Sequence, residues 1–449
     1  MINIAFLNQL AAARSDIDFT RTAAGLATLQ VYDSIKTNGF DPFVHQDALQ
    51  RVEQDVANVA LKTPLRVALD SVVQALPFWD STGSIRVGRR AVYTALLVYG
   101  QALGDEGEWP IAESVYSLVG MDAELDGETW LAAEARLLMG RASRMCAEWE
   151  SSQTAYRRAY ELGIEAGELS IALRARIGEA NNLWGRGDFP AAKRLLDTTA
   201  RRARRSCPSV LPRVTLALAG IANASGEYER AIHIAFKLLG SLDDSDELAY
   251  QTLVDLAIFL TDYGLPPVAA VALRLVERAA PEARLRRQAK LNLYFLAVQE
   301  EDQPAFDKLH IELAAEPFAP REQTQYALFS AQGFRRFSQF NEAKAAADRA
   351  IELANQFQLF QLVFQAEAEL HEIESARAQV RAITTPSSTH LRKLQTHGES
   401  VATRSSLTTQ YRSLTGAKVP PRIRRVAESL GSMSVNRFAA TDLNLSSAY

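Results

Sequence analysis

Few side chains in this sequence stand at the spacings that chemistry requires. The six histidines include no helix-face pair with a third ligand, as a zinc site would need, and the segment 371–375 (HEIES) lacks the second histidine of a zinc-protease helix. No GxSxG, P-loop or GxGxxG motif occurs, so neither a nucleophile elbow nor a phosphate-binding loop is expected. We therefore expect no catalytic residue, no bound metal and no cofactor, and we expect a protein that is not an enzyme.

Three short features have both a chemical and a structural interpretation. Cys146 follows two nearby arginines that would lower its pKa, although a small buried apolar side chain is the simpler interpretation. The RGD tripeptide at 186–188 matches an integrin-binding motif, but its glycine stands where a turn is expected. The basic run RRARR at 201–205 fits the C-terminus of a helix, with nucleic-acid contact as the alternative.

Length and composition favour a large repeat array or several domains. The chain has 449 residues, of which 47% are hydrophobic and 23% are charged, and one compact domain rarely reaches this length. Two cysteines are too few for a disulfide framework, which favours a reducing compartment. Neither a signal peptide nor an apolar run long enough for a bilayer is evident, so we expect a cytoplasmic protein and no membrane partner.

The charge is distributed unevenly along the chain. The formal net charge is −4, which gives no general indication of nucleic-acid binding. Residues 384–449 hold nine Lys or Arg against three Asp or Glu, a net charge of +6 that leaves −10 for residues 1–383. This basic segment is rich in Ser and Thr and poor in bulky apolar residues, so we predict a loosely ordered tail.

Apolar residues recur at three- and four-residue spacing over long runs, which predicts amphipathic helices, and no alternating strand pattern occurs. Turn motifs recur about every 40 residues, for example GDEGEW at 104–109 and SGEY at 225–228. Alignment on the bulky residue after each turn gives intervals of 40, 40, 39, 38, 40 and 34 residues. The aligned residues are Trp109, Trp149, Phe189, Tyr228, Pro266, Phe306 and Phe340.

Small residues flank these anchors at constant distances. The residue nine positions earlier is Gly or Ala in all seven units, the residue three positions later is small in six, and the residue seven positions later is always apolar. Small side chains allow two antiparallel helices to approach closely, while the larger ones fill the space between pairs. Since one helical hairpin cannot bury its own apolar face, the sequence predicts an all-α solenoid of about seven stacked hairpins.

The repeat pattern resembles the tetratricopeptide repeat. The best matches are WGRGDFPAAKRLL (184–196), SGEYERAIHIAFKLL (225–239) and FSQFNEAKAAADRAIELA (337–354). The period is mostly 38 to 40 residues rather than 34, which is similar to the longer repeats of bacterial regulatory solenoids. The resemblance implies three parts: a helical N-terminal region at 1–84, a solenoid with a C-terminal capping helix at 85–383, and the tail at 384–449.

The resemblance also implies a concave groove, lined by the first helix of each hairpin, that binds a peptide or a partner segment. In this sequence the groove positions include Arg141, Arg144, Arg174, Asn181, Arg213 and Asn223. We interpret the four arginines as a ladder flanked by the apolar residues Leu137, Ile177 and Leu216, which favours an acidic partner or a C-terminal carboxylate. Ion pairing with nearby glutamates is the alternative for these arginines.

We therefore predict a protein–protein interaction scaffold or regulatory sensor, with nucleic acid not expected as a partner. The alternative is a signal-responsive transcription regulator, or a fragment of one, that uses the solenoid as its sensor domain. The sequence does not identify the partner or its pathway.

Overall fold

The computed structural model describes residues 4–13, 16–59, 64–80, 85–243, 246–384 and 429–430, and within them it contains helices and no strand. The predicted all-α solenoid is confirmed. None of the described helices combines the length and the apolar content that crossing a bilayer requires.

Four helices precede the hairpins, and one long helix follows them. The first four are α1 (Ile4–Ala12), α2 (Asp16–Asn38), α3 (Pro42–Asn58) and α4 (Pro64–Ala75). Seven hairpins come next: α5/α6 (Ile85–Glu106, Trp109–Leu125), α7/α8 (Thr129–Met145, Trp149–Glu165), α9/α10 (Leu169–Gly185, Phe189–Ser206), α11/α12 (Leu211–Ala224, Tyr228–Leu239), α13/α14 (Glu247–Asp262, Pro266–Ala279), α15/α16 (Ala283–Gln299, Gln303–Leu313) and α17/α18 (Pro320–Arg336, Phe340–Gln356). The last helix, α19, spans Phe360–Thr384.

Each hairpin turns at a residue with positive φ, two positions before its second helix. Glycine, which adopts this conformation without steric cost, occupies the position in four hairpins. One of these is Gly187, with φ of 90°, and Asp188 after it accepts a hydrogen bond from the amide of Ala191. The RGD tripeptide therefore ends one helix and caps the next, which supports its structural interpretation.

Aromatic rings of the second helices fill the space that the glycines of the first helices leave. Tyr156 of α8 lies between Gly140 of α7 and Gly178 of α9, where an added Cβ would come within 2.7 Å and 2.3 Å of the Tyr156 ring. Ala180 and Ala219, at the predicted crossing positions, are fully buried. The small residues in the pattern therefore do what the spacing predicted: they let the helix pairs pack closely.

The predicted register was wrong in the sixth hairpin. Helix α16 begins at Gln303, after the N-cap Asp302, so Phe306 lies about one turn inside the helix. The true starts of the second helices are 40, 40, 39, 38, 37 and 37 residues apart. Tyr294 and Phe306 thus stand where other hairpins have small residues. Their stacked rings, with centroids 4.7 Å apart, pack where the two helices of the hairpin cross. The bulky ring of Phe306 was mistaken for the residue that begins the helix.

The N-terminal helices pack against the first hairpin, with α4 on α5 and α1 on α6. The Tyr32 hydroxyl donates to Asp122 Oδ2 at 2.6 Å, and Lys36 forms an ion pair with the same carboxylate. Arg21 and Glu108 form a second ion pair at 2.9 Å. These polar contacts, together with the apolar core, join α2 to the start of the solenoid.

The stack of hairpins is coiled, so that a helix contacts another helix five hairpins later in the sequence. Asp105, at the end of α5, accepts hydrogen bonds from the amides of Ala283 and Arg284 at the start of α15, at 2.9 and 3.1 Å. Farther along, Trp149 Nε1 donates to the carbonyl of Phe357 at 3.0 Å. We call this line of contacts between successive turns the seam.

Most of the predicted tail lies outside the described residues. The exception is 429–430, where Leu430 is 3% exposed and belongs to the apolar cluster formed mainly by α12, α13 and α14. A leucine about 45 residues beyond the end of α19 therefore packs into the middle of the solenoid.

Candidate functional site

The candidate site is the groove, which we define as the inner surface formed by the first helices α7, α9, α11, α13, α15 and α17. Charged side chains from neighbouring helices pair across it. Arg174 of α9 donates from one nitrogen to both carboxylate oxygens of Glu134 of α7, each at 3.0 Å. This ion pair neutralises one member of the predicted arginine ladder.

A second ion pair connects helices that are far apart in sequence. Glu247, the first residue of α13, lies 3.7 Å from Arg141 of α7 and 3.2 Å from Arg284 of α15. Burial alone would raise the pKa of Glu247, but Arg141, Arg284 and Arg213 outweigh it and hold that pKa below its ordinary value. The centre of the groove is therefore spanned by a carboxylate shared between two guanidinium groups.

The surroundings of Arg284 show how enclosed the groove is. Its side chain is 12% exposed, and burial together with the charge of Arg141 lowers the pKa of Arg284 to about 10. Its guanidinium also donates to Gln251 Oε1 at 3.3 Å, and Gln251 donates in turn to Asp255. Burial raises the pKa of Asp255 to about 7, although the Gln251 hydrogen bond and Arg284 oppose that change.

Arg213 of α11 is exposed at the residue level, and among the described residues it forms no ion pair. The surrounding protein lowers the pKa of Arg213, and the nearby charge of Arg174 lowers it further. The carboxylates of Glu247 and Asp246 oppose these effects, so Arg213 lies near negative charge although it forms no ion pair.

A third group of side chains lies on the seam. Arg321, in the first turn of α17, places its guanidinium carbon 4.6 Å from the ring centre of Trp184, in the last turn of α9. Burial, with the charge of Arg144 at the end of α7, lowers the pKa of Arg321 to about 10. Neither Arg144 nor Arg321 forms an ion pair within the described part of the chain.

The six predicted binding residues therefore fall into different environments. Arg141 and Arg174 are ion-paired, while Arg144 and Arg213 have no carboxylate partner among the described residues. Asn223 donates to Asp262 Oδ2 at 2.7 Å, which leaves its own buried Oδ1 without a partner, and Asn181 is half-buried.

The predicted arginine ladder is thus not a row of free cations, and its expected apolar flank is wrong. Leu137, Ile177 and Leu216 are only 6 to 8% exposed because they pack into the core, so they offer little surface to a ligand. The ion-pair alternative holds for Arg174 with Glu134, whereas Glu179 pairs with Arg176 at 2.7 Å.

Sequence reasoning missed Glu247, Arg284 and Arg321. Each is the first or second residue of its helix, and each meets a helix that lies several hairpins away in sequence. The repeat pattern indicates which residues face the groove within one hairpin. It does not indicate which hairpins meet after a full turn, because that depends on a small rotation accumulated over five repeats.

Two other candidate features have structural explanations. Cys146 is the C-cap of α7, and burial, with Glu148 and Glu113 nearby, raises the pKa of the Cys146 thiol to about 12, which is opposite to an activated cysteine. In the described ranges, no three His, Cys, Asp or Glu side chains are placed to hold a metal ion. The basic run at 201–205 lies at the end of α10, where cations are favoured by the helix dipole.

Comparison with known proteins gives limited information. No protein-family model matches the chain, and no curated protein matches it. A crystal structure of a Rap protein complexed with competence and sporulation factor is 12% identical, with a TM-score of 0.44, and covers 80% of this chain and 99% of the other. The Rap conjugation regulator of plasmid pLS20 with the Phr* peptide is 14% identical, with a TM-score of 0.42, and covers 81% and 97%. Similarity this weak adds no support to a functional assignment, and the fold assignment rests on the helices described above.

Proposed function

We propose that this chain is a non-enzymatic scaffold or regulatory sensor that binds a peptide or a partner segment in the groove. The observation that carries the proposal is the presence of three guanidinium groups, those of Arg144, Arg213 and Arg321, that form no ion pair among the described residues. They occur in a chain whose net charge is −4. Cations that form no ion pair favour an anionic partner.

The ion pairs within the groove also support the proposal. The ion pairs Arg174–Glu134 and Arg141–Glu247 join first helices along its length and hold the neighbouring side chains in place. Side chains that are ordered before binding lower the entropic cost of association. We propose an acidic or C-terminal segment as the partner and the cytoplasm as its location.

The proposal is tested by selecting displayed random peptides on the full-length chain and then measuring their binding to three variants. Asn181→Trp and Arg213→Trp place a bulky ring in the groove, whereas Arg194→Trp places it on the exposed side of α10. We expect each groove variant to lose at least ten-fold in affinity, while the Arg194 variant binds as the wild type does. Circular dichroism spectra would establish that all three variants remain helical. Equal binding by all variants would show that the groove is not the binding surface.

A further inference from the structure

Three side chains from distant parts of the sequence meet on the seam. Arg144 ends α7, Trp184 lies in the last turn of α9, and Arg321 lies in the first turn of α17. The Arg321 guanidinium lies over the Trp184 indole at 4.6 Å. A guanidinium held over an aromatic ring loses less conformational freedom when it binds a ligand.

This cluster contains hydrogen-bond donors and lacks acceptors. Arg144 Nε and Trp184 Nε1 are buried and have no hydrogen-bond partner. The Arg321 guanidinium donates no hydrogen bond to any of the described residues. Guanidinium and indole nitrogens can donate but cannot accept. Buried polar groups in folded proteins nearly always have partners, so the missing group here is an acceptor. Because two of the three side chains are cations, the acceptor that fits is an anion.

We infer that Arg144, Trp184 and Arg321 form a carboxylate-binding site in the groove, which holds the C-terminal carboxylate or an acidic side chain of the bound peptide. The inference rests on the proposed function, since it names the chemistry by which the groove recognises its ligand. A carboxylate is favoured because it is the anionic group that an unmodified peptide carries. It also accepts two parallel hydrogen bonds from one guanidinium.

The site differs from the arginine ladder expected from the repeat pattern. In that ladder, Arg174 and Arg141 are already paired with Glu134 and Glu247. A ligand carboxylate would have to displace a carboxylate of the protein at those two positions. At Arg144 and Arg321 it would displace nothing from the described residues, so the seam is the better place for the anion.

The site is tested with two pools of random octapeptides, one with free C-termini and one amidated, captured on the immobilised full-length chain and quantified by mass spectrometry. We expect the wild type to enrich peptides with a free C-terminus or with Asp or Glu at one position. Enrichment in the free-acid pool alone would identify the C-terminus as the source of the carboxylate, and enrichment at an Asp or Glu position in both pools would identify a side chain. Arg144→Gln and Arg321→Gln should each reduce that preference at least ten-fold.

Several variants separate recognition from a purely structural role. Trp184→Phe keeps an aromatic ring under Arg321 but removes the indole N–H, so it should weaken the acid preference while the melting temperature stays close to that of the wild type. Arg321→Lys keeps the charge and should retain part of the preference, even if Arg321→Gln does not fold. Arg213→Gln tests the alternative anion site in the groove, and Arg204→Gln is the control on the surface, which should keep the preference.

The outcomes distinguish the inference from the proposed function. If the Arg144 and Arg321 variants keep the acid preference while Arg213→Gln loses it, the carboxylate site is not on the seam, although the groove still binds peptide. If the wild type shows no acid preference but Asn181→Trp abolishes peptide capture, the inference fails and the proposed function stands. If no peptide is captured by the wild type, both are wrong.

Discussion

Asp255 is the groove carboxylate whose protonation changes near neutral pH. Burial raises its pKa to about 7, so between about pH 4 and pH 7 the folded protein holds a proton that the unfolded chain releases. Stability contributed by this group is therefore lost as the pH rises through that window. Asp255→Asn removes the titration and can still accept from Gln251.

At pH 8 we expect the Asp255→Asn variant to be more stable than the wild type by about 1 kcal/mol, less than the full conversion of the pKa change because Asp255 is partly exposed. The advantage should shrink toward zero near pH 4. Urea unfolding of both proteins at several pH values measures it. A difference that does not vary with pH would mean that the pKa of Asp255 is the same in the folded and the unfolded protein.

Two neighbouring residues of α11 should respond in opposite ways to a larger side chain. Ala219 is fully buried where the helices cross, so Ala219→Leu should lower the free energy of unfolding by about 1 to 3 kcal/mol through overpacking. An added Cβ at Gly220 would meet nothing within 4 Å, so Gly220→Ala should stabilise by about 0.5 to 1 kcal/mol. Thermal unfolding of the two variants tests the pair. An Ala219→Leu variant as stable as the wild type would show that the crossing is not at Ala219, and a destabilised Gly220→Ala variant would show that Gly220 is not free to carry a side chain.

At the scale of the hairpin, the turn residue with positive φ determines how well each hairpin closes. Ser338 takes this conformation with φ of 63°, where a glycine would carry no steric cost, so Ser338→Gly should stabilise by about 0.5 to 1 kcal/mol. Gly226→Ser is the reverse change at the equivalent position of another hairpin and should destabilise by a similar amount. Calorimetric melting of both variants provides the comparison. If neither moves the transition, the turn conformation is set by the packing of the helices.

The helical elements were largely predictable because their pattern is local. Six of the seven anchor residues begin the second helix of their hairpin, since a turn, an apolar ring and a small residue recur at constant spacing. The start of α16 was predicted wrongly because Phe306 resembles the anchor residue, whereas the helix begins directly after its N-cap, Asp302. The positive φ of Glu301, two residues before Gln303, marks the correct register. A glutamate gives no indication in the sequence that the backbone has a positive φ.

The groove was predictable only in part. Arg141, Arg144, Arg174 and Arg213 were identified from repeat positions, and the ion-pair alternative holds for Arg174 with Glu134, but the residues that meet the others were not identified. Glu247, Arg284 and Arg321 reach the groove from helices that lie beside the others only after the solenoid has turned. Long-range contacts of this kind depend on geometry summed over many residues, to which single positions in the sequence contribute little.

At the scale of the whole molecule, Asp105 tests the seam. Its side chain caps α15, 178 residues away. Asp105→Ala should therefore lower the free energy of unfolding by about 1 kcal/mol and increase hydrogen exchange at the start of α15. Asp246→Ala removes an ordinary cap within α13 and is the matched control. We expect exchange near the end of α5 to rise only in the Asp105 variant. Identical exchange patterns would mean that the seam adds no stability.

Leu430 tests whether the C-terminal residues contribute to the solenoid. Because its side chain is buried with α12, α13 and α14, Leu430→Ala should destabilise by about 2 kcal/mol. Removal of residues 384–449 should lower the melting temperature as well. The measurement is thermal unfolding followed by circular dichroism, with Leu125→Ala, at a side chain that is 83% exposed, as the comparison. Unchanged melting in the Leu430 variant and in the truncated chain would show that the tail is separable from the solenoid.

The seam also bears on how the chain folds. In an open repeat array each hairpin touches only its neighbours, so the array can fray from its ends and tolerate the loss of a terminal repeat. Here the bond from Asp105 to α15 and the bond from Trp149 to Phe357 join residues about 180 and 208 positions apart. Such contacts form only after a large loop has closed, which slows folding and ties the first hairpins to the last ones. We expect the solenoid to unfold as one cooperative unit, so that deleting any single hairpin would unfold the array instead of shortening it.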